Sequence, residues 1–166
     1  MFTEEDLFYL CLAYNMAGNS KDTSTQNGAI IIHPDEPLTC IGGYNQFPGG
    51  VREIPFRFYR PFKYLFTEHA ERNAIYTAAR FQFPLEGATM YAPWFACSDC
   101  ARAIIGVGIK RVVGHYLPEH NAQASWQDSI NAADTMLEEA GVESYRYDGN
   151  LNAGENIRIG GVTIHV

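Results

Sequence analysis

"EGATMYAPWFACSDCARAIIGVGIKRVV", residues 86–113, decides the fold. It opens with a β-rich run, "GATMYAP", and passes at "SDC" into helix formers, with Ser98 and Asp99 near the helix start and Gly108 at its end. It closes on a second β-rich run, "IKRVVGHY". A strand, a helix and a strand in this short compass imply a crossover connection and parallel strands. Upstream, "HAERNAIYTAAR" is built of strong helix formers until Pro84 forbids continuation. Downstream, "SWQDSINAADTMLEEAGV" places Ile130, Ala133, Met136 and Leu137 at helical spacing, and "ESYRYD" reads as a last strand of the sheet. The repeated alternation predicts helices on both faces of one sheet, a three-layer α/β/α sandwich.

Before this core, Thr3 followed by Glu4, Glu5 and Asp6 looks like an N-cap with an acidic first turn, and the periodic Leu7, Leu10, Cys11 and Tyr14 predict a helix over 3–17. "GAIIIH" and "LTCIGGYN", joined by "PDEP", predict a hairpin. Residues 46–66 are aromatic, basic and aperiodic and read as a loop. Residues 148–166 are Gly/Asn-rich and then alternate at Ile157, Ile159, Val162 and Ile164, which suggests a catalytic domain over 1–147 and a C-terminal extension that adds a strand.

The chain has 166 residues, of which 46% are hydrophobic, enough for one domain with a real core. No basic leader or membrane-length apolar run is visible, so the expected location is the cytoplasm. A formal net charge of -7 argues against a protein that grips long nucleic-acid backbone and favours a small ligand. The local exception is residues 49–66, where Arg52, Arg57, Arg60 and Lys63 stand among aromatics opposed only by Glu53. That stretch could hold an anion, stack bases or pack between subunits.

Of the four cysteines, Cys97 and Cys100 are three apart at a helix start, so both sulfurs reach one point where the helix dipole favours thiolate. A C-x-x-C alone fits a redox couple as well as a metal. His69 and Glu71, on a separate helix, tip the balance. Zinc takes imidazole and thiolate, and three protein ligands leave an open position suited to catalysis, with Glu71 a proton carrier beside the metal. Cys11 and Cys40 read as small buried hydrophobes. His33, His115, His120 and His165 lack ligand spacing.

"HAE" and "CSDC" resemble the H-x-E…P-C-x-x-C signature of zinc-dependent nucleobase deaminases. The order of "SKDTSTQNGAIII", "GGYNQFPGG", "HAERNAIYTAAR" and "LEEAGV" is similar to that of deoxycytidylate (dCMP) deaminases, over residues 20–142. The resemblance implies a cytidine-deaminase-like fold with a mixed five-stranded sheet, one zinc per chain held by His69, Cys97 and Cys100, and hydrolysis of dCMP to dUMP and ammonia with Glu71 as proton shuttle. It further implies that Asn45 binds the sugar, the Ala70 backbone contacts the pyrimidine, Tyr116 covers the base, and Ser20 and Lys21 meet the phosphate. Arg80, Arg57, Arg60, Gly43 and Tyr44 become candidates for phosphate or a deoxynucleoside triphosphate effector, in a homohexamer or smaller homo-oligomer. Two departures stand out: Ala96 replaces the proline before the first cysteine, and residues 46–66 hold no Cys or His for a second zinc. The competing functions are deamination of another free base, nucleoside or nucleotide, deamination of tRNA or single-stranded DNA, and a non-catalytic zinc or nucleotide sensor.

Overall fold

The computed structural model describes residues 2–36, 38–117 and 124–166; His120 lies outside them. A five-stranded mixed sheet, in the order β2-β1-β3-β4-β5, forms the middle layer. β1 (Gly28–Ile32) pairs antiparallel with both β2 (Cys40–Tyr44) and β3 (Thr89–Tyr91). β3, β4 (Arg111–His115) and β5 (Glu143–Tyr147) run parallel, as the crossovers require.

Alternation along the strands separates the two faces. Ile31 pairs with Met90 and Met90 with Val112, and these face a core shared with α3 (Ala70–Arg80), α4 (Ser98–Gly106) and α5 (Gln127–Glu139). Ile30, Tyr91 and Val113, one residue along, face α1 (Glu4–Gly18) through Leu10 and Ala13. Two glycines let the helices come close. A Cβ on Gly28 would lie 2.1 Å from the Ala13 carbonyl oxygen of α1, and one on Gly43 would lie 2.4 Å from the Ala74 nitrogen of α3. Gly43, a candidate effector residue by resemblance, therefore has a packing reason to be glycine.

The structure departs from the sequence reading in two places. The 46–66 segment is not wholly irregular: it contains a 3-10 turn at Pro55–Phe58 and the short helix α2 at Lys63–Phe66. The C-terminal residues do not extend the sheet. β6 (Asn156–Ile159) and β7 (Val162–His165) form a separate hairpin, and Ile157, Ile159 and Val166 pack on Tyr14 and Ala17 of α1. Gln26 fixes this hairpin by donating its N–H to the Arg158 carbonyl at 2.8 Å and accepting the Arg158 N–H at 2.9 Å.

Asp6 anchors α1 twice over. Its carboxylate accepts the Thr3 N–H at 2.9 Å while Thr3 Oγ1 accepts the Asp6 N–H at 3.1 Å, a capping box. The same carboxylate takes two bonds from Arg111 on β4, at 2.6 and 3.0 Å, and one from the Tyr91 hydroxyl on β3 at 3.0 Å. Arg111 holds the Asp6 carboxyl well below the usual carboxylate range, against the opposing effect of burial. A folded-state pKa below the unfolded value of about 3.9 stabilises the fold above that pH and loses its contribution as pH falls towards the folded value. Asp6→Asn should lower the unfolding free energy at pH 7 by about 3 kcal/mol, as expected for stranding one partner of a buried pair. Urea titrations should show the gap from wild type narrowing steadily below pH 4.

Candidate active site

The ligand atoms arrive from two helix starts. His69 is the N-cap residue of α3, Cys97 is the N-cap residue of α4, and Cys100 lies in the first turn of α4. Their extended N-cap backbones turn both chains into helix at the same end of the sheet. His69 Nδ1 lies 3.5 Å from Cys97 Sγ and 3.6 Å from Cys100 Sγ, and the sulfurs are 3.5 Å apart. A tetrahedral zinc with Zn–S of about 2.3 Å and Zn–N of about 2.0 Å spaces sulfur from sulfur by about 3.8 Å and sulfur from nitrogen by about 3.5 Å. The three atoms therefore fit zinc with little adjustment. A hydrogen bond from Cys100, opposed by burial and reinforced by His69, draws the Cys97 thiol down to about 4, while the same bond and burial push the Cys100 thiol up. Ligation makes thiolates of both.

Glu71 stands two residues into α3, 2% exposed, and burial pushes its carboxyl up to about 7, partly offset by His69. Its Oε2 has no hydrogen-bond partner among the described residues. Leaving such an atom unsatisfied costs about 1–3 kcal/mol, so the arrangement suits a site completed by water or ligand at the metal.

His69, Glu71 and Cys97 line a cavity of about 360 Å³, within the range of small-molecule sites, with Cys100 buried behind them. Its walls bring together residues that sequence reasoning missed. Trp94, Tyr64 and Trp126 supply rings, the Trp126 ring lying 5.7 Å from that of His69 and 6.2 Å from that of Tyr64. Asp22 and Lys63 face each other as a buried ion pair, with Lys63 Nζ at 2.7 and 2.8 Å from the two carboxylate oxygens. Arg60 completes the cationic side and has no carboxylate in ion-pair reach among the described residues.

The remaining candidates fall into distinct places. Asn45 lines the cavity, but its amide is engaged: Oδ1 accepts the Ala70 N–H at 3.0 Å and Nδ2 donates to the Thr25 carbonyl at 3.1 Å. Asn45 thus fixes the start of α3, and the Ala70 N–H is occupied. Ser20 turns inward and donates to the Asn45 carbonyl at 2.7 Å. Lys21 pairs with Glu53 at 2.6 Å beside a smaller hollow of about 70 Å³ that Tyr44 also lines. Arg57 donates to the Arg52 carbonyl at 3.0 Å and lies over the Phe66 ring, away from the cavity lining. Arg80 ends α3, about 13.5 Å along the helix axis from Glu71. Tyr116 does not line the cavity; its N–H joins the Tyr147 carbonyl at 2.8 Å. Cys40 is exposed and Cys11 half-buried, so neither is the buried hydrophobe that the sequence suggested. His115 is buried between Tyr14 and Gly149, at 2.6 and 2.8 Å.

Residues 3–116 match the family model for the cytidine and deoxycytidylate deaminase zinc-binding region, and the chain belongs to that family. An uncharacterized deaminase in the luxG 3' region of Aliivibrio fischeri is 39% identical over 126 residues, spanning 75% of this chain and 80% of that protein. Human deoxycytidylate deaminase is 32% identical over 141 residues, spanning 81% and 75%. The dCMP deaminase of cyanophage S-TIM5, solved in complex with dCMP and dUMP, has the same fold, with a TM-score of 0.66 at 23% identity over 89% of this chain and 99% of that one.

His69, Cys97 and Cys100 are the zinc-compatible cluster of this zinc-binding region. Metal analysis of the purified protein should find one zinc per chain. Cys97→Ser should lower retention through dialysis against a chelator by at least tenfold, because hydroxyl is a far poorer zinc ligand than thiolate.

Proposed function

We propose that this protein hydrolyses dCMP to dUMP and ammonia. The observation that carries the reading is one cavity at a three-ligand metal cluster, lined by a buried carboxylate with an oxygen unpartnered among the described residues and by the cations Arg60, Lys63 and Arg72. Zinc held by His69, Cys97 and Cys100 supplies Lewis-acid activation of water at neutral pH. Glu71 would accept a proton from the water that adds to cytosine C4 and pass it to N3, then carry the proton of the C4 hydroxyl to the exocyclic amine, so that the C4 carbonyl forms as the C4–N bond breaks and ammonia leaves. A carboxyl raised to about 7 is suited to both directions of transfer. Trp94, Tyr64 and Trp126 offer faces for the base, and Arg60 beside Lys63 offers charge for the phosphate.

This charge favours a nucleotide over a nucleoside or free base, and the relatives named deoxycytidylate deaminase agree with it. The overall charge of -7 disfavours tRNA or single-stranded DNA, and the buried Glu71 disfavours a non-catalytic role. Self-association is supported by the exposed Phe56, Tyr59, Phe62 and Leu65. An effector beside Tyr44 gains no support within one chain, since the hollow of about 70 Å³ is far below ligand size. No helix among the described residues is long and apolar enough to cross a membrane. Four free thiols support a reducing compartment, the cytoplasm.

Ammonia release from zinc-loaded protein should be at least tenfold more efficient with dCMP than with deoxycytidine, cytosine, guanine or tRNA. A preference for nucleoside or base would sink the nucleotide reading. Glu71→Gln should keep zinc and lose turnover by about 10²–10⁴. Arg60→Ala should raise KM for dCMP about tenfold and leave kcat/KM for deoxycytidine nearly unchanged, as the loss of one charged hydrogen bond predicts. The two tryptophans, Trp94 and Trp126, both line the cavity, so dCMP should alter the intrinsic emission of Glu71→Gln in a saturable titration.

A further inference from the structure

Arg72 has no part in the chemistry above, yet its guanidinium spans the two polypeptide segments that deliver the metal ligands. One turn into α3, its Nε and Nη2 each lie 2.5 Å from Glu68 Oε1, and its Nη1 lies 3.4 Å from Asp99 Oδ2. Glu68 directly precedes His69, and its Oε1 also accepts the His69 backbone N–H at 3.0 Å. The backbone of Glu68 is itself pinned to Gln46 by reciprocal bonds of 2.8 and 3.2 Å. Asp99 lies between the two cysteine ligands at the start of α4 and is gripped from the other side by Arg102. The result is a polar strap, Gln46 to Glu68 to Arg72 to Asp99, that crosses from the histidine segment to the cysteine segment without using a ligand atom.

We propose that Arg72 is a positioning residue for the zinc site, holding the start of α3 at a fixed distance from the start of α4 so that the three ligand atoms stand assembled before metal arrives. Two physical effects act together. The planar fork of arginine can serve two carboxylates at once, which fixes direction as well as distance. A permanent cation beside two thiolates and the Glu71 carboxylate also reduces the like-charge repulsion of gathering three anionic groups at one point. The side chains of Arg72 and Glu68 are only 20% and 19% exposed, so this limb of the strap is less screened than a surface pair, while Asp99 at its other end is 56% exposed. Arg72 also lines the cavity, but with its fork divided between Glu68 and Asp99 it is committed to the site's frame and not to a ligand's phosphate.

The test is zinc affinity, measured by competition with a chromophoric chelator, together with the visible spectrum of the cobalt-substituted protein. Arg72→Met keeps the apolar stem and removes the fork; it should weaken zinc by about 10–100-fold, the usual effect of losing an outer partner of a metal ligand, and shift the cobalt bands. Arg72→Lys, with one compact ammonium unable to span both carboxylates, should recover only part of the affinity. Asp99→Asn, at a half-exposed helix start where folding is not at stake, should also weaken zinc. The Arg72→Met, Asp99→Asn double variant should be little worse than Arg72→Met, because both break the same strap. Wild-type affinity and cobalt spectrum in Arg72→Met would overturn the proposal. So would an unaffected Asp99→Asn, or additive losses in the double variant, since either means that no bridge is at work. A wild-type chain that binds no zinc overturns the metal site itself and the strap with it, whereas zinc binding without deamination of dCMP leaves the strap standing.

Discussion

Three ligand atoms must stand within 3.6 Å of one another while belonging to two different helices, and much of the architecture serves that convergence. A helix is about 10 Å across with its side chains, so two helix starts meet this closely only if the surfaces between and beneath them are small. The helices around the site meet that condition: Ala70 and Ala74 of α3, Ala101 of α4 and Ala133 of α5 are fully buried in one core cluster. Gly43 does the same beneath α3, where any side chain would strike the helix backbone. Ala96 belongs to this cluster as well, 9% exposed. The turn before Cys97 is thus held by burial of a methyl group, where a proline ring would otherwise supply the stiffness.

The same close packing accounts for the chemistry of Glu71. A carboxylate in the first turn of a helix is ordinarily favoured by the dipole and by water. Here the helix start is pressed into the core, water is removed, and the carboxyl rises to about 7. One geometric demand, bringing α3 against the sheet and α4, therefore delivers both the metal cluster and a buried carboxyl poised near neutrality.

The sequence announces the parts of this design that are local. Strand and helix alternation, the capping signal at Thr3, and the pairing of H-x-E with C-x-x-C each depend on spacing within a few residues, and each appears in the structure close to where spacing puts it. What it does not announce is direction in irregular chain. In "SKD" the polar trio looks equally suited to an anion, yet Ser20 turns to the Asn45 carbonyl, Lys21 turns out to Glu53, and only Asp22 reaches the cavity. Lys63 was hidden in an aperiodic basic run, and its burial depends on α2, a helix of four residues with no legible period. Arg72 looks in sequence like any solvated helix residue, because its importance lies in Asp99, which is far away along the chain. Arg80, nine residues along α3 from Glu71, is outside the cavity lining, though nothing in composition separates the two.

The buried Asp22–Lys63 pair bears on which anion the cavity can accept. Removing two charges from water costs several kcal/mol, which their attraction offsets only in good geometry, so such a pair is a poor device for stability alone. It does fix an ammonium on the cavity wall, with both carboxylate oxygens holding Nζ and the Ser24 and Thr25 N–H groups holding Asp22 Oδ1 at 2.7 and 3.0 Å. With Lys63 neutralised by Asp22, and Arg72 engaged by Glu68 and Asp99, Arg60 is left as the uncompensated cation of the cavity lining. The net positive charge is then about one, enough to orient a single phosphate within hydrogen-bond reach. It is too little to draw in a polyanion, whose affinity depends on many such contacts and falls steeply with salt. Such a wall agrees with the small nucleotide proposed as substrate, independently of the acidic balance of the whole chain.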